Sequence, residues 1–230
     1  MSRFRAVLFD FSGTLFRLEE DDSWFTGMEL IDDDGRRAVD EHVQAELMER
    51  LTHPTGRSVQ MTEEAYQAWL SRDLAPHLHR EAYLHVLRES GLPEHQARSL
   101  YNRVVDPASW TPYPDAVEVL RSLREHSVKT AVVSNIAFDI RPAFKTAGTH
   151  ADEFVLSFEV GAVKPDPRIF DVALDRLGVA PDEAIMVGDS EENDGAARAL
   201  GCAFALVDPI PVDERPTGLV DALRDRGITY

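Results

Sequence analysis

The stretch RAVLFDFSGTLF, residues 5–16, decides the fold. Four apolar residues, Ala6 to Phe9, run without interruption and stop on a carboxylate, Asp10. A short run with no alternation is the pattern of a strand buried on both faces, as in a parallel sheet. Two residues after the acid stands a hydroxyl, Ser12, followed by Gly13 and Thr14. A single acid after a strand is usually a turn former, so Asp10 gains meaning only from what accompanies it.

Four more runs of the same kind follow: TAVVS (130–134), EFVLSF (153–158), AIMV (184–187) and AFALV (203–207). Helix-like segments lie between or beside them: PDAVEVLRSLREHS (114–127), DPRIFDVALDRLG (166–178) and DGAARALG (194–201). Pro114 opens the first, and Gly178 and Gly201 close the other two, as helix starts and stops should. The alternation predicts an α/β protein with a Rossmann-like parallel sheet and helices on both faces.

Residues 16–106 show no comparable strand series. Amphipathic patterns at 36–53, 62–80, 81–91 and 93–105 predict helices there. A connection of about ninety residues is too long for a loop in a compact domain. The expected organisation is therefore a core of residues 1–15 and 107–230 with an inserted all-α cap at 16–106. The Pro-rich WTPYPDAV (110–117) suits the hinge between them. The acidic stretches EEDDS (19–23) and DDDG (32–35) flank Trp24, Phe25 and Met28. They read either as solvated loops around an aromatic anchor or as a segment gating whatever Asp10 does.

The 230 residues are 43% hydrophobic and 28% charged, with a formal charge of −17. That charge repels the phosphate backbone of nucleic acids, which argues against them as partners, while small anions answer to local fields. One cysteine, Cys202, allows no internal disulfide and suits a reducing compartment. The first apolar run is too short for a signal segment or a membrane span. The expectation is a cytoplasmic protein with no membrane association; the sequence sets no oligomeric state.

Asp10, Ser134, Lys164 and Asp189 all fall at the carboxyl ends of predicted strands or in the loops that follow. In open parallel sheets this edge binds ligands. Each residue alone could cap a turn; four at one edge point to a site. The set resembles the haloacid dehalogenase-like hydrolase superfamily, through DFSGTL (10–15), VVSN (132–135), GAVKPDPRIF (161–170) and VGDSEEND (187–194), in the family's order. Most of its members are magnesium-dependent phosphatases, and the inserted segment fits their helical cap by position and pattern.

The resemblance implies that Asp10 is a nucleophile that becomes an aspartyl phosphate. It implies that Ser134 and the main chain at Asn135 bind phosphoryl oxygens, and that Lys164 offsets the charge. Asp10 and Asp189 would bind magnesium with the main-chain carbonyl of Ser12, and Asp194 would support the metal site and Lys164. Charge counting points the same way: three carboxylates and one lysine cannot receive a phosphate dianion without a divalent cation, and oxygen ligands suit magnesium. Asp194 could also be simply a helix N-terminal charge.

Ser12 departs from the pattern. Family phosphatases mostly carry a second aspartate there, which protonates the leaving oxygen and then deprotonates the attacking water. Such help is worth about 10²–10⁴-fold, and a serine does not supply it. The chain is then a slow phosphatase preferring good leaving groups such as aryl or acyl phosphates, or takes its proton from the cap or the 19–22 loop, or keeps a long-lived aspartyl phosphate. The dehalogenase branch also lacks an acid at this position but has tyrosine there, works without metal and lacks the acid pair kept here as Asp189 and Asp194. The phosphonatase branch uses a cap lysine, and 16–106 contains no lysine. The expectation is a magnesium-dependent phosphohydrolase for a small phosphorylated molecule. The alternatives are a phosphoryl-binding or sensing protein on a degraded scaffold and a dehalogenase-like hydrolase.

Other residues read blandly. His77, His79 and His85 lack the spacing of a helical metal pair and suit surface or cap packing. Tyr66, Trp69 and Leu70 read as one buried stripe. Arg36, Arg37 and Arg57 could reach an anion, but arginines in an acidic protein more often pair locally. Cys202 reads as inert. The tail, 209–227, reads as a loop and a short helix without assigned chemistry.

Overall fold

The computed structural model describes residues 4–19, 23–32, 35–52 and 62–228. The chain begins with β1 (Ala6–Phe9) and a short strand β2 (Phe16–Leu18), then a hairpin of β3 (Glu29–Asp32) and β4 (Gly35–Ala38). Helices α1 (Glu41–Thr52), α2 (Glu63–Leu70), α3 (Pro76–Glu89) and α4 (Glu94–Val104) follow, and β5 (Trp110–Pro112) returns to pair antiparallel with β2. The rest alternates: α5 (Ala116–Glu125), β6 (Lys129–Ser134), α6 (Arg141–Thr146), β7 (Glu153–Leu156), α7 (Ser157–Val160), α8 (Pro167–Leu177), β8 (Ala184–Gly188), β9 (Ala203–Leu206) and α9 (Gly218–Asp225).

The main sheet is parallel, in the order β7-β6-β1-β8-β9. Every residue of β1 is fully buried, because alternate side chains enter different cores. Val7 and Phe9 join Val119, Leu120 and Leu123 of α5, Phe144 of α6 and Leu219 and Leu223 of α9. Ala6 and Leu8 join Ile169, Phe170, Ala173, Leu174 and Leu177 of α8 on the opposite face. Each large apolar side chain so buried contributes about 1.5–3 kcal/mol. A strand in that position has no polar face, and its first polar residue, Asp10, comes where the helix layers end.

β1 lies between β6 and β8, so the chain builds outward on one side and then crosses to the other. The switch point lies between β1 and β8, which is where ligands bind in such sheets. The inserted helices have a core of their own, in which Leu47, Trp69, Tyr83, Leu87 and Leu100 join Trp24, Phe25 and Leu30. No described helix is long and apolar enough to cross a membrane.

Several boundaries differ from expectation. The helix expected over 36–53 begins only at Glu41: Arg36 and Ala38 lie in β4, and the Asp40 carboxylate caps α1 by accepting from Val43 N at 3.0 Å. The patterns at 62–80 and 81–91 are divided elsewhere. α2 stops at Leu70, a 3-10 turn spans Arg72–Leu74, and α3 runs unbroken from Pro76, where the missing proline N–H costs nothing. Leu70, at the end of α2, is exposed rather than part of the stripe with Trp69. The run at 153–158 is strand only to Leu156, since Ser157 starts α7. DGAARALG forms a 3-10 helix, Gly195–Leu200. The inserted segment thus carries a hairpin as well as helices.

Candidate active site

Asp10 is fixed by its neighbours on both sides. Its N–H donates to Val187 O of β8 at 2.9 Å, and its Oδ1 accepts from Lys164 Nζ at 2.6 Å. The same Nζ donates to Asp194 Oδ1 at 2.6 Å, so one buried ammonium bridges two buried carboxylates. Asp189 completes the group: ligand oxygens of Asp10, Asp189 and Asp194 all lie within 4.8 Å of one another.

The electrostatics follow from crowding. Burial pushes the Asp10 carboxyl up to about 7; Lys164 opposes the shift, and Asp194 and Asp189 add to it. Burial, then the Asp194 charge, pushes Asp189 up to about 6. Burial alone would push the Lys164 ammonium down, but Asp10 and Asp194 outweigh it and hold it charged. Asp194 does not serve as a helix cap. Its Oδ2 accepts from Ser190 N at 3.0 Å and its Oδ1 is spent on Lys164.

Two glycines make the crowding possible. Gly13 has φ +74°, and a Cβ there would overlap the Asp189 carboxylate. A Cβ on Gly188 would overlap Asp194. The loop after Asp10 closes on itself, with Leu15 N and Phe16 N donating to Phe11 O at 3.1 and 2.9 Å and Gly13 N to Phe16 O at 2.8 Å. Asn135 uses its side chain to hold the lysine's backbone: Nδ2 donates to Lys164 O at 2.9 Å and Oδ1 accepts from Lys164 N at 2.6 Å.

Asp10, Ser12, Ser134, Asn135, Lys164, Asp189 and Asp194 all line one cavity of about 180 Å³. The structure therefore brings together every residue singled out for the site. The inserted segment supplies the facing wall, with Arg72, Asp73, His79 and Tyr83. Arg72 lies over the Trp69 ring, 4.4 Å from its centroid, and its Nη1 donates to Trp69 O at 2.9 Å. His79, expected to be a surface or packing residue, packs on Tyr83 and also faces the cavity. Burial, with help from Arg72, pushes its imidazole down to about 3, so the ring is neutral.

Other candidates lie elsewhere. Glu19, in the acidic stretch, pairs with Arg17 and accepts from Val212 N at 3.0 Å. Residues 20–22 and Arg57 lie outside the described residues, as does the side chain of Arg37. Arg36 pairs with Glu29. Cys202 is buried, and burial followed by the Asp171 charge pushes its thiol up to about 11.

Sequence reasoning missed Arg72 and Asp73, although Pro76 marks the break that creates their turn. It also missed Arg215 in the tail. This buried guanidinium donates to Gly13 O at 2.7 Å, to Asp208 O at 2.8 Å and to Thr14 O, and it lies over the Tyr113 ring. It ties the tail to the loop that follows Asp10.

A family model described as haloacid dehalogenase-like hydrolase matches residues 4–201. Phosphoserine phosphatase of Thermus thermophilus is 35% identical over 150 residues, 63% of this chain and 58% of that protein. (S)-2-haloacid dehalogenase 1 of a Pseudomonas species is 35% identical over 125 residues, 53% of this chain and 54% of that protein. The chain spans little more than half the length of these relatives. A solved HAD phosphatase from Thermococcus onnurineus shares the fold, with a TM-score of 0.52 and 24% identity over 89% of this chain and 86% of that one.

Proposed function

The chain belongs to the haloacid dehalogenase-like hydrolases, and on that footing we propose that it is a magnesium-dependent phosphohydrolase acting on a small phosphorylated molecule through Asp10. One observation carries the reading: three carboxylates, Asp10, Asp189 and Asp194, meet at one point with Lys164 bridging two of them. Their pooled charge exceeds what one lysine offsets; burial first, and the neighbouring carboxylates after it, raise the pKa values of Asp10 and Asp189. An all-oxygen donor set of that charge fits a hard divalent cation.

Asp10 and Asp189 would hold magnesium together with the Ser12 main-chain carbonyl, and Asp194, bonded to Lys164 and Ser190 N, would support that site. When bound, the ion supplies the positive charge that lets a phosphate dianion approach three carboxylates. Lys164 opposes the rise in the Asp10 pKa and aims its carboxylate, and the Asn135 side chain fixes the lysine's backbone. Ser134, the last residue of β6, offers its hydroxyl to a phosphoryl oxygen. Asp10 attacks phosphorus, the ester P–O bond breaks, and water then attacks the aspartyl phosphate to release inorganic phosphate. The segment 16–106 acts as a cap, and the small cavity favours a small substrate.

The test is release of phosphate from a panel of metabolite, aryl and acyl phosphates with magnesium and with EDTA. The proposal expects turnover that needs the metal and vanishes in Asp10→Asn. An active Asp10→Asn enzyme, or turnover of a 2-haloacid without metal, would overturn it.

A further inference from the structure

Ser12 leaves the reaction without a group that can give up and take back a proton, and the cap places a carboxyl in the opposite wall of the same cavity. Resting on the phosphohydrolase reading above, we propose that Asp73 is the general acid and base of this site, in the role that Ser12 cannot fill.

The position of Asp73 is built rather than incidental. It lies in the 3-10 turn between α2 and α3. Ser157 Oγ donates to its main-chain carbonyl at 2.6 Å and accepts from Ile136 N at 2.9 Å. Ile136 follows Ser134 by two residues, so the Asp73 backbone is bonded to the sheet edge that carries the phosphoryl-binding hydroxyl. Asp73 lines the cavity that Asp10 and Ser12 also line.

The carboxyl has no firm partner. Arg72 Nη2 stands 3.4 Å from Oδ2 and His79 Nε2 4.0 Å from Oδ1, both beyond good hydrogen-bond length. Among the described residues no donor bonds it more closely. Among the described residues, the other buried acid outside the site, Asp115, is committed to structure: its Oδ2 accepts from Leu219 N and Val220 N at the start of α9.

A buried carboxyl with loose partners is costly as an anion. Burial pushes it up, while Arg72 beside it and Lys164 across the cavity oppose the shift. His79 and Tyr83 of α3, which also face it, are both neutral, since burial pushes the imidazole down and the phenol up. A group held between opposing influences can carry a proton in one half-reaction and accept it in the next.

The proton balance closes. As Asp10 Oδ attacks phosphorus and the P–O bond to the leaving group breaks, the Asp73 carboxyl gives its proton to the departing oxygen, which leaves as an alcohol. The Asp73 carboxylate then takes a proton from water as the water oxygen attacks phosphorus. The P–O bond to Asp10 breaks, inorganic phosphate leaves, and Asp73 is protonated again.

The test compares Asp73→Asn with wild type on phenyl phosphate, a poor leaving group, and p-nitrophenyl phosphate, a good one. It adds the double variant Ser12→Asp/Asp73→Asn. The proposal expects kcat on phenyl phosphate to fall by about 10²-fold or more. It expects p-nitrophenol to appear from Asp73→Asn as a burst before a slow steady state, because only the second half-reaction then needs the missing base. It expects Ser12→Asp to restore turnover, which an unfolded protein could not show. Equal losses on both esters without a burst, wild-type rates in Asp73→Asn, or no rescue would each overturn the assignment. An active Asp10→Asn variant would instead sink the phosphohydrolase reading, and the Asp73 assignment with it.

Discussion

Three acids and one lysine at the switch point set the chemistry of this site, and their protonation can be followed without any substrate. Asp10 and Asp189 are raised in the fold to about 7 and about 6, whereas an unfolded aspartate titrates near about 3.9. A group whose folded pKa is raised binds its proton more tightly in the folded state. Its stabilising contribution is full below about pH 4 and is lost as pH rises through the folded values. In EDTA the melting temperature should therefore fall as pH climbs from about 5 to about 7.5. Magnesium should recover most of the loss at the upper end and little at the lower. A magnesium-induced shift in Tm of constant size across that range would contradict the charge account.

The elements divide into those the sequence announces and those set by distant contacts. The five core strands, α5, α8 and α4 were legible, because each is an apolar run or stripe whose period reflects what covers it. The strands β2 and β5 have three residues each, too few to show a period, and they exist because they pair across the hinge. Asp10 and Asp189 were legible because each directly follows a strand, and Lys164 because it stands in GAVKPDPRIF, the loop beyond one. Asp73 was not, since only Ser157, far along the chain, gives its turn a purpose. Arg215 was hidden for the same reason: its partners Gly13 and Thr14 lie at the other end of the sequence. Removing that clamp by Arg215→Ala leaves buried carbonyls without a donor and should cost about 3 kcal/mol of stability. It should also lower kcat more than it raises KM, because the loosened loop is the one that follows Asp10. Thermal melts and steady-state kinetics check both, and a variant with wild-type stability would show the clamp to be idle.

At the scale of the molecule, a strongly acidic chain, with a formal charge of −17, gathers its site where two hydrophobic cores meet. The sheet edge supplies Asp10, Lys164, Asp189 and Asp194, and the inserted segment supplies the wall with Asp73. The account has one centre, which is that Asp10 takes the phosphoryl group before water does. The aspartyl phosphate forms in every turnover and is caught by acid quench, in greater amount in Asp73→Asn, which lacks the base for the second step. The direct measurement is peptide mass spectrometry of protein acid-quenched during turnover of p-nitrophenyl phosphate with magnesium. The account predicts a phosphoryl group on the peptide that carries Asp10, absent without magnesium and absent in Asp10→Asn. Turnover with that peptide unmodified, or the phosphoryl group on a different residue, would contradict it.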